Sequence, residues 1–202
     1  MRNSRVLLLT PALFALAACT PSGDPATEAE IAAETAESEQ TATPMPDEPM
    51  ATATTARATL QPTAGNDTSG ELTFTAEDGA IRVSGEVRGL PTGSAHGFHV
   101  HETGDCSAPD ATSAGGHFNP DDSDHGRVGQ GEHHAGDSDN ITANDEGVAM
   151  IDAQLQGATL GDGAATDIAG KGVIVHADPD DYTSQPTGNA GARLACGVIE
   201  VM

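Results

Sequence analysis

All eight histidines of this 202-residue chain lie after residue 95, and seven fall between His96 and His134. Histidines that serve only as surface groups scatter along a sequence. Crowded ones force the fold to gather imidazoles in a small volume. His99 and His101 alternate with Phe98 and Val100. Residues two apart on a strand share a face, so Phe98 and Val100 point to a core while His99 and His101 point together away from it. Two imidazoles on the outer face of a stiff strand are half of a metal site. His96 falls on the Phe98 face and reads as a packed, hydrogen-bonded side chain. His117, His125, His133, His134 and Asp137 follow in a Gly-rich stretch. These spacings let three imidazoles and one carboxylate wrap a tetrahedral Zn²⁺. His176 ends the apolar run Val173-Ile174-Val175, a strand end that can place one more ligand.

The part that folds reads as β-sheet. Leu72, Phe74 and Ala76 alternate with polar neighbours, and so do Ile81, Val83 and Val87. Asp78-Gly79 between them is a hairpin signal. Residues 148–155, 172–175 and 194–201 supply further short strands. With no convincing helical period, and with 24 Gly and 12 Pro to make turns, the pattern predicts an antiparallel sandwich or barrel. Aromatic residues are only 2% of the chain, so the core rests on Val, Ile, Leu and Ala. Stretches 103–139 and 177–191 stay irregular. Loops of that length are uncommon in a compact domain unless they are functional or disordered.

The N-terminus reads as an address. Arg2 and Arg5 precede an apolar run over 6–18, which predicts a signal peptide at 1–18. Leu16-Ala17-Ala18-Cys19 resembles a bacterial lipobox, implying cleavage before Cys19 and lipidation of the new N-terminus. Residues 19–57 carry that Cys and then an acidic tether of Thr, Ala, Pro and Glu. It has almost nothing to bury and is expected to be disordered. A single domain then occupies 58–202. Export to an oxidising compartment permits disulfides, and with Cys19 acylated, Cys106 and Cys196 remain as an even pair. Thr20 lacks the Asp that signals inner-membrane retention, so the expected place is the periplasm, lipid-anchored to the outer membrane. A net charge of −23 with 8 Lys+Arg argues against a nucleic-acid surface. No apolar run reaches the roughly 18 residues of a membrane span, which leaves the lipid on Cys19 as the expected membrane contact.

Three motifs resemble a known family. His96-Gly97-Phe98-His99-Val100-His101-Glu102, Gly115-Gly116-His117-Phe118-Asn119-Pro120 and Gly188-Asn189-Ala190-Gly191-Ala192-Arg193-Leu194-Ala195-Cys196-Gly197-Val198-Ile199 are similar to the copper/zinc superoxide dismutases. The resemblance covers about residues 57–202. It implies an all-β fold, a Greek-key β-barrel or sandwich of about eight antiparallel strands with two long functional loops, an architecture that counts this family among its members. It implies an enzyme that dismutes superoxide to O₂ and H₂O₂ with a copper ion and a zinc ion per chain, protecting the cell envelope. Carried over by motif, His99, His101, His117 and His176 would bind copper. His117, His125, His134 and Asp137 would bind zinc, with His117 shared. Imidazoles suit copper, and a tetrahedral set of three nitrogens and one oxygen suits zinc. In the family's cycle one electron passes through copper and one proton through His117. Asp180 would orient one ligand of each metal. Cys106 and Cys196 would form a disulfide that fastens the zinc loop to the last strand, and Arg193 would guide the anion.

Some features depart from that pattern. His133 stands beside His134, so the ligand could slip by one, although the His134-Ala135-Gly136-Asp137 spacing favours His134. Cys106 lies nearer the copper-binding strand than in some members. The loop before Arg193 has no Lys; Tyr182, Gln185 and Thr187 occupy it, leaving anion guidance to Arg193 alone. From Ala58 onward 23 acidic residues face 5 basic ones, a net of −18 that repels superoxide. Two divalent metals and Arg193 make the site itself positive. Screening over about 8–10 Å lets that near field prevail. The rival reading is a non-catalytic periplasmic copper or zinc store on the same fold. A store needs neither a shared His nor an anion-guiding Arg. A homodimer is compatible with the resemblance.

Overall fold

Period-2 alternation becomes strand wherever its apolar half can reach one core. The computed structural model describes residues 55–202. The expected signal peptide, Cys19 and the tether up to residue 54 lie outside the described residues. Ten strands follow: β1 (Thr55–Pro62), β2 (Ser69–Glu77), β3 (Ala80–Arg88), β4 (Ala95–His96), β5 (Phe98–His101), β6 (Ile141–Thr142), β7 (Val148–Gln156), β8 (Gly172–His176), β9 (Arg193–Val198) and β10 (Glu200–Val201). One 3-10 turn at Thr112–Ala114 is the helical element among the described residues. Asp78 and Gly79 both take positive φ, 50° and 81°, as a tight hairpin turn between β2 and β3 requires.

The long sheet runs in the order β5-β8-β9-β1-β2-β3-β7, antiparallel throughout, with β10 also on β1. The chain makes β1, β2 and β3 as neighbours, then crosses to β5, returns to β7 beside β3, and crosses again to β8 beside β5. These crossings give the Greek-key order. The two sheet edges are drawn together by the small β4–β6 pair, Ala95 opposite Thr142 and His96 opposite Ile141. β4 runs into β5 through Gly97, and β6 turns into β7.

The sequence reading ends the tether at residue 57 and names no strand at β1. The strand begins earlier than that boundary, at Thr55. Thr55–Arg57 belong to the sheet, where Ala56 lies opposite both Phe74 and Val201. Ala56, Ala58 and Leu60 alternate inward. Two alanines give little hydrophobic signal, and β1 is a strand because β2, β9 and β10 pair with it.

One core fills the sheet interior, including Leu72 and Phe74 from β2, Ile81, Val83 and Val87 from β3, Phe98 and Val100 from β5, and Val173 and Val175 from β8. Each such side chain contributes roughly 1.5–3 kcal/mol relative to exposure. Ile174, one residue out of step with Val173 and Val175, faces the other way and packs with Cys196, Ala111 and Ala114. The outer side of β8 and β9 is therefore covered by the long segment 102–140. A Cys106–Cys196 disulfide, 90 residues apart in sequence, ties that segment to β9. The segment also lies along β5. Phe118 N–H donates to Val100 O, Val100 N–H to Gly136 O, and Glu102 N–H to Gly116 O. A side chain at Gly136 would collide with Val100 O, so glycine allows this close approach.

Candidate metal centre

β5 sends His99 and His101 away from the core, as the alternation predicts. That side is not a solvent face, however: His99 is 0% and His101 1% exposed, because segment 102–140 closes over them. His117 arrives beside His101 through a backbone bridge. His176 comes from the end of β8, opposite Arg193, where the β8–β9 register shifts. The potential ligand atoms of His99, His101, His117 and His176 lie within 4.8 Å of one another, and so do those of His117, His125, His134 and Asp137. All seven residues are buried, and His117 belongs to both groups. His133 is only half-buried and donates from Nδ1 to the His134 carbonyl, so the structure brings His134 into the cluster and leaves its neighbour out. His96 is buried and donates to His176 O, in keeping with a packed role.

The fit to metal rests on lone pairs. His99 Nδ1, His117 Nε2, His125 Nδ1 and His134 Nδ1 are buried without a hydrogen-bond partner. Such orphaned groups are rare and cost about 1–3 kcal/mol each. Most of the opposite ring nitrogens are engaged. His99 Nε2 meets Asp180 Oδ2 at 2.8 Å and His125 Nε2 meets Asp180 Oδ1 at 3.0 Å. His101 Nδ1 donates to Gly115 O at 2.9 Å and His176 Nδ1 to Gly191 O at 3.4 Å. A carbonyl can only accept, so these bonds fix the tautomers of His101 and His176. Their bare Nε2 atoms then face each other at 3.3 Å. Two lone pairs at that distance repel unless a cation or proton lies between them. In the second group the Asp137 carboxylate sits 2.8 Å from His117 Nδ1, 3.0 Å from His125 Nδ1 and 3.4 Å from His134 Nδ1. It also accepts the N–H of His134.

Electrostatics prepare the same atoms. Burial, and then the neighbouring His117 and His176, push His101 down to about 2. Burial pushes His117 down to about 4 against the pull of Asp137, and His176 falls well below the ordinary value for the same first reason. These imidazoles are neutral near pH 7, the form that binds metal. Burial works to raise Asp137, but the His117 hydrogen bond and the close imidazoles of His125 and His134 outweigh it and hold the carboxyl far below its usual range. Asp180 is likewise held low, burial being outweighed by His125 and His99. His125 moves the other way. Burial would lower it, yet the nearby carboxylates of Asp137 and Asp180 raise it to about 9.

Arg193 is half-buried and donates to the carbonyls of Ala111 and Gly115. Gly115 O also receives His101 Nδ1, so Arg193 and His101 are pinned to one loop atom. Beside them Arg193 lines an open cleft with Thr63, Asn66, Asp110 and Thr112.

Three contributors escape a reading of the sequence. Asn140 holds the Asp180 backbone at both its N–H and its C=O, at 2.8 and 2.9 Å. Gln185 holds the His125 backbone the same way, at 2.9 Å each. Tyr182 Oη accepts the Asn140 N–H. A side-chain amide bonding to a loop peptide leaves no spacing or charge signature.

Residues 68–199 match the family model described as copper/zinc superoxide dismutase. This chain belongs to the copper/zinc superoxide dismutase family. It is 38% identical over 140 residues to copper–zinc superoxide dismutase 2 of Aquifex aeolicus, covering 66% of this chain and 82% of that protein. To superoxide dismutase 1 of the same organism it is 41% identical over 118 residues, covering 57% and 70%. Among solved structures it is similar to the clock protein EA4, with TM-score 0.66 and 37% identity over 75% of this chain and 96% of that one. It is also similar to a proline-to-histidine mutant of a superoxide dismutase-like protein from Bacillus subtilis, with TM-score 0.65 and 32% identity over 71% and 97%. As a copper/zinc superoxide dismutase, the chain dismutes superoxide with copper and zinc as cofactors, and its two histidine-rich groups are of a kind that could hold metal ions.

Proposed function

We propose that His99, His101, His117 and His176 would hold copper and that His117, His125, His134 and Asp137 would hold zinc, His117 being common to both sets. The observation that carries this is the membership of His117 in both buried groups, with its Nε2 orphaned on one side and its Nδ1 2.8 Å from Asp137 on the other. When bound, copper supplies one-electron exchange with superoxide and zinc a fixed positive charge on His117. Two superoxide anions and two protons give one O₂ and one H₂O₂, one superoxide losing the electron that the other gains. His117 Nε2 is the atom placed to hold one of those protons and hand it over. Asp137 keeps the ring in register while it does so. Asp180 fixes the orientation of His99 and His125 together. Arg193 supplies the cation beside His101 and His176 that draws and orients the anion.

The test is metal content by elemental analysis of single variants. His101→Ala should lose copper and keep zinc, and His134→Ala should lose zinc first. The reverse pattern contradicts the division. All seven proposed ligands come from one chain, so a homodimer would carry two independent sites.

The same reading places the enzyme in the cell envelope, exported by residues 1–18 and anchored to the outer membrane by a lipid on Cys19, where it removes superoxide in the periplasm. The support is the Leu16-Ala17-Ala18-Cys19 sequence. Cys19→Ala should leave an active domain in the salt-washed soluble fraction. Continued sedimentation with membranes contradicts the anchor.

A further inference from the structure

We propose that Gln185 is a positioning residue for zinc binding, presetting the backbone of His125 from the opposite loop. The inference rests on the reading of His125 as a zinc ligand. His125 lies in segment 102–140 and Asp180 in segment 177–192, and neither is on a strand. Their 3.0 Å contact, continued by Asp180 to His99, is a second link between the two ligand groups besides His117. Two loop residues can keep such a contact only if their backbones are held relative to each other. Gln185 Oε1 accepts the His125 N–H and Gln185 Nε2 donates to the His125 C=O, each at 2.9 Å. Among the described residues these are the hydrogen bonds that satisfy the His125 peptide groups. Asn140 makes the mirror arrangement, reaching from the first segment to the Asp180 peptide. The two amides therefore stitch the loops crosswise on either side of the His125–Asp180 contact. A planar amide bound at both ends fixes orientation as well as distance, because its nitrogen and oxygen cannot exchange roles. With Gln185 in place His125 Nδ1 faces Asp137 before any ion arrives, and the ordering cost at binding falls.

The experiment measures zinc affinity of the full chain by competition with a chromophoric chelator, together with the visible absorption of Co²⁺ placed in the zinc position. Gln185→Ala should weaken zinc by about tenfold, in line with other outer contacts of metal ligands, and alter the Co²⁺ bands, while copper affinity stays within about twofold. Gln185→Glu keeps the acceptor, loses the donor and should fall between. Asp181→Ala is the control. Asp181 braces the same loop through Thr183, Ser184 and Asn189 without touching the first segment, and its variant should stay within about threefold of the parent. Unchanged zinc affinity and Co²⁺ bands in Gln185→Ala overturn the proposal, and so does an equal loss in Asp181→Ala, which would make the effect one of loop stability. His125→Ala separates the underlying reading: if that variant keeps parental zinc affinity, the ligand set itself is wrong and the positioning role falls with it.

Discussion

At Gly188 the backbone takes φ +64°, and an added Cβ would strike the Asp180 carboxylate and the His125 ring. Gly188→Ala is therefore expected to push Asp180 out of its bridging position, with a cost of about 1–3 kcal/mol from the left-handed backbone and the clash. Thermal unfolding should show a larger loss with zinc bound than without; equal losses would mean the clash never reaches the site. The histidines set an acid limit on the metal-free protein. His101 at about 2, His117 at about 4 and the low His176 all lie below the ordinary value of 6.5. Below that value the unfolded chain binds more protons than the folded one, so stability falls as pH drops from about 7 to 5. Each of the three contributes about 1.4 kcal/mol per pH unit of that fall. His125, raised to about 9, has the opposite sign: its contribution is complete below 6.5 and is lost as pH rises through 9. Urea unfolding of metal-free protein at pH 5, 7 and 9.5 checks both, and a midpoint that does not drop between pH 7 and 5 contradicts the buried neutral imidazoles. His99 and His101 were legible because a two-residue period forces them onto one face. His134 was legible from its spacing to Asp137. Asn140 and Gln185 were not, since they act through loop peptides whose positions only the folded chain defines.

Among the elements, strands with branched or aromatic residues on one face could be read directly, as with Leu72, Phe74 and Val83. β1 could not, because Ala56 and Ala58 owe their burial to neighbouring strands rather than to their own hydrophobicity. The long segments were readable as functional from their length, and the first also from its histidines, but their path was not. Backbone bonds from Phe118 and Gly136 to Val100 of β5 and from Gly116 to Glu102 just beyond it, together with the Cys106–Cys196 bond, decide it. A crosslink across 90 residues stabilises by roughly 4–5 kcal/mol in the chain-entropy picture. Reduction should lower the melting temperature and loosen the cover over His101 and Arg193, seen as faster hydrogen exchange around residues 106–117. An unchanged melting temperature with two free thiols counted would contradict this.

For the whole molecule the question is how an anion reaches a site in so acidic a protein. The 23 acidic residues from Ala58 onward outnumber basic ones 23 to 5, yet charges beyond about 8–10 Å are screened near physiological salt. Arg193 beside the proposed copper ligands should therefore dominate the last approach. Arg193→Glu is expected to lower kcat/KM by at least about tenfold, roughly 1.4 kcal/mol in barrier, and Arg193→Gln by less. Because Arg193 also holds Ala111 and Gly115, salt dependence separates the roles: added salt should slow the parent enzyme and have little effect on Arg193→Gln. A parent enzyme that salt accelerates would show the distant negative charge in control. The central claim, that one imidazole joins both metals, is tested most directly by loading Cu²⁺ into both positions and recording the electron paramagnetic resonance spectrum. Through a shared His117 the two spins should couple and quench the ordinary Cu²⁺ signal, which His117→Ala should restore. Two independent Cu²⁺ signals in the parent protein, with both sites filled, would contradict the account.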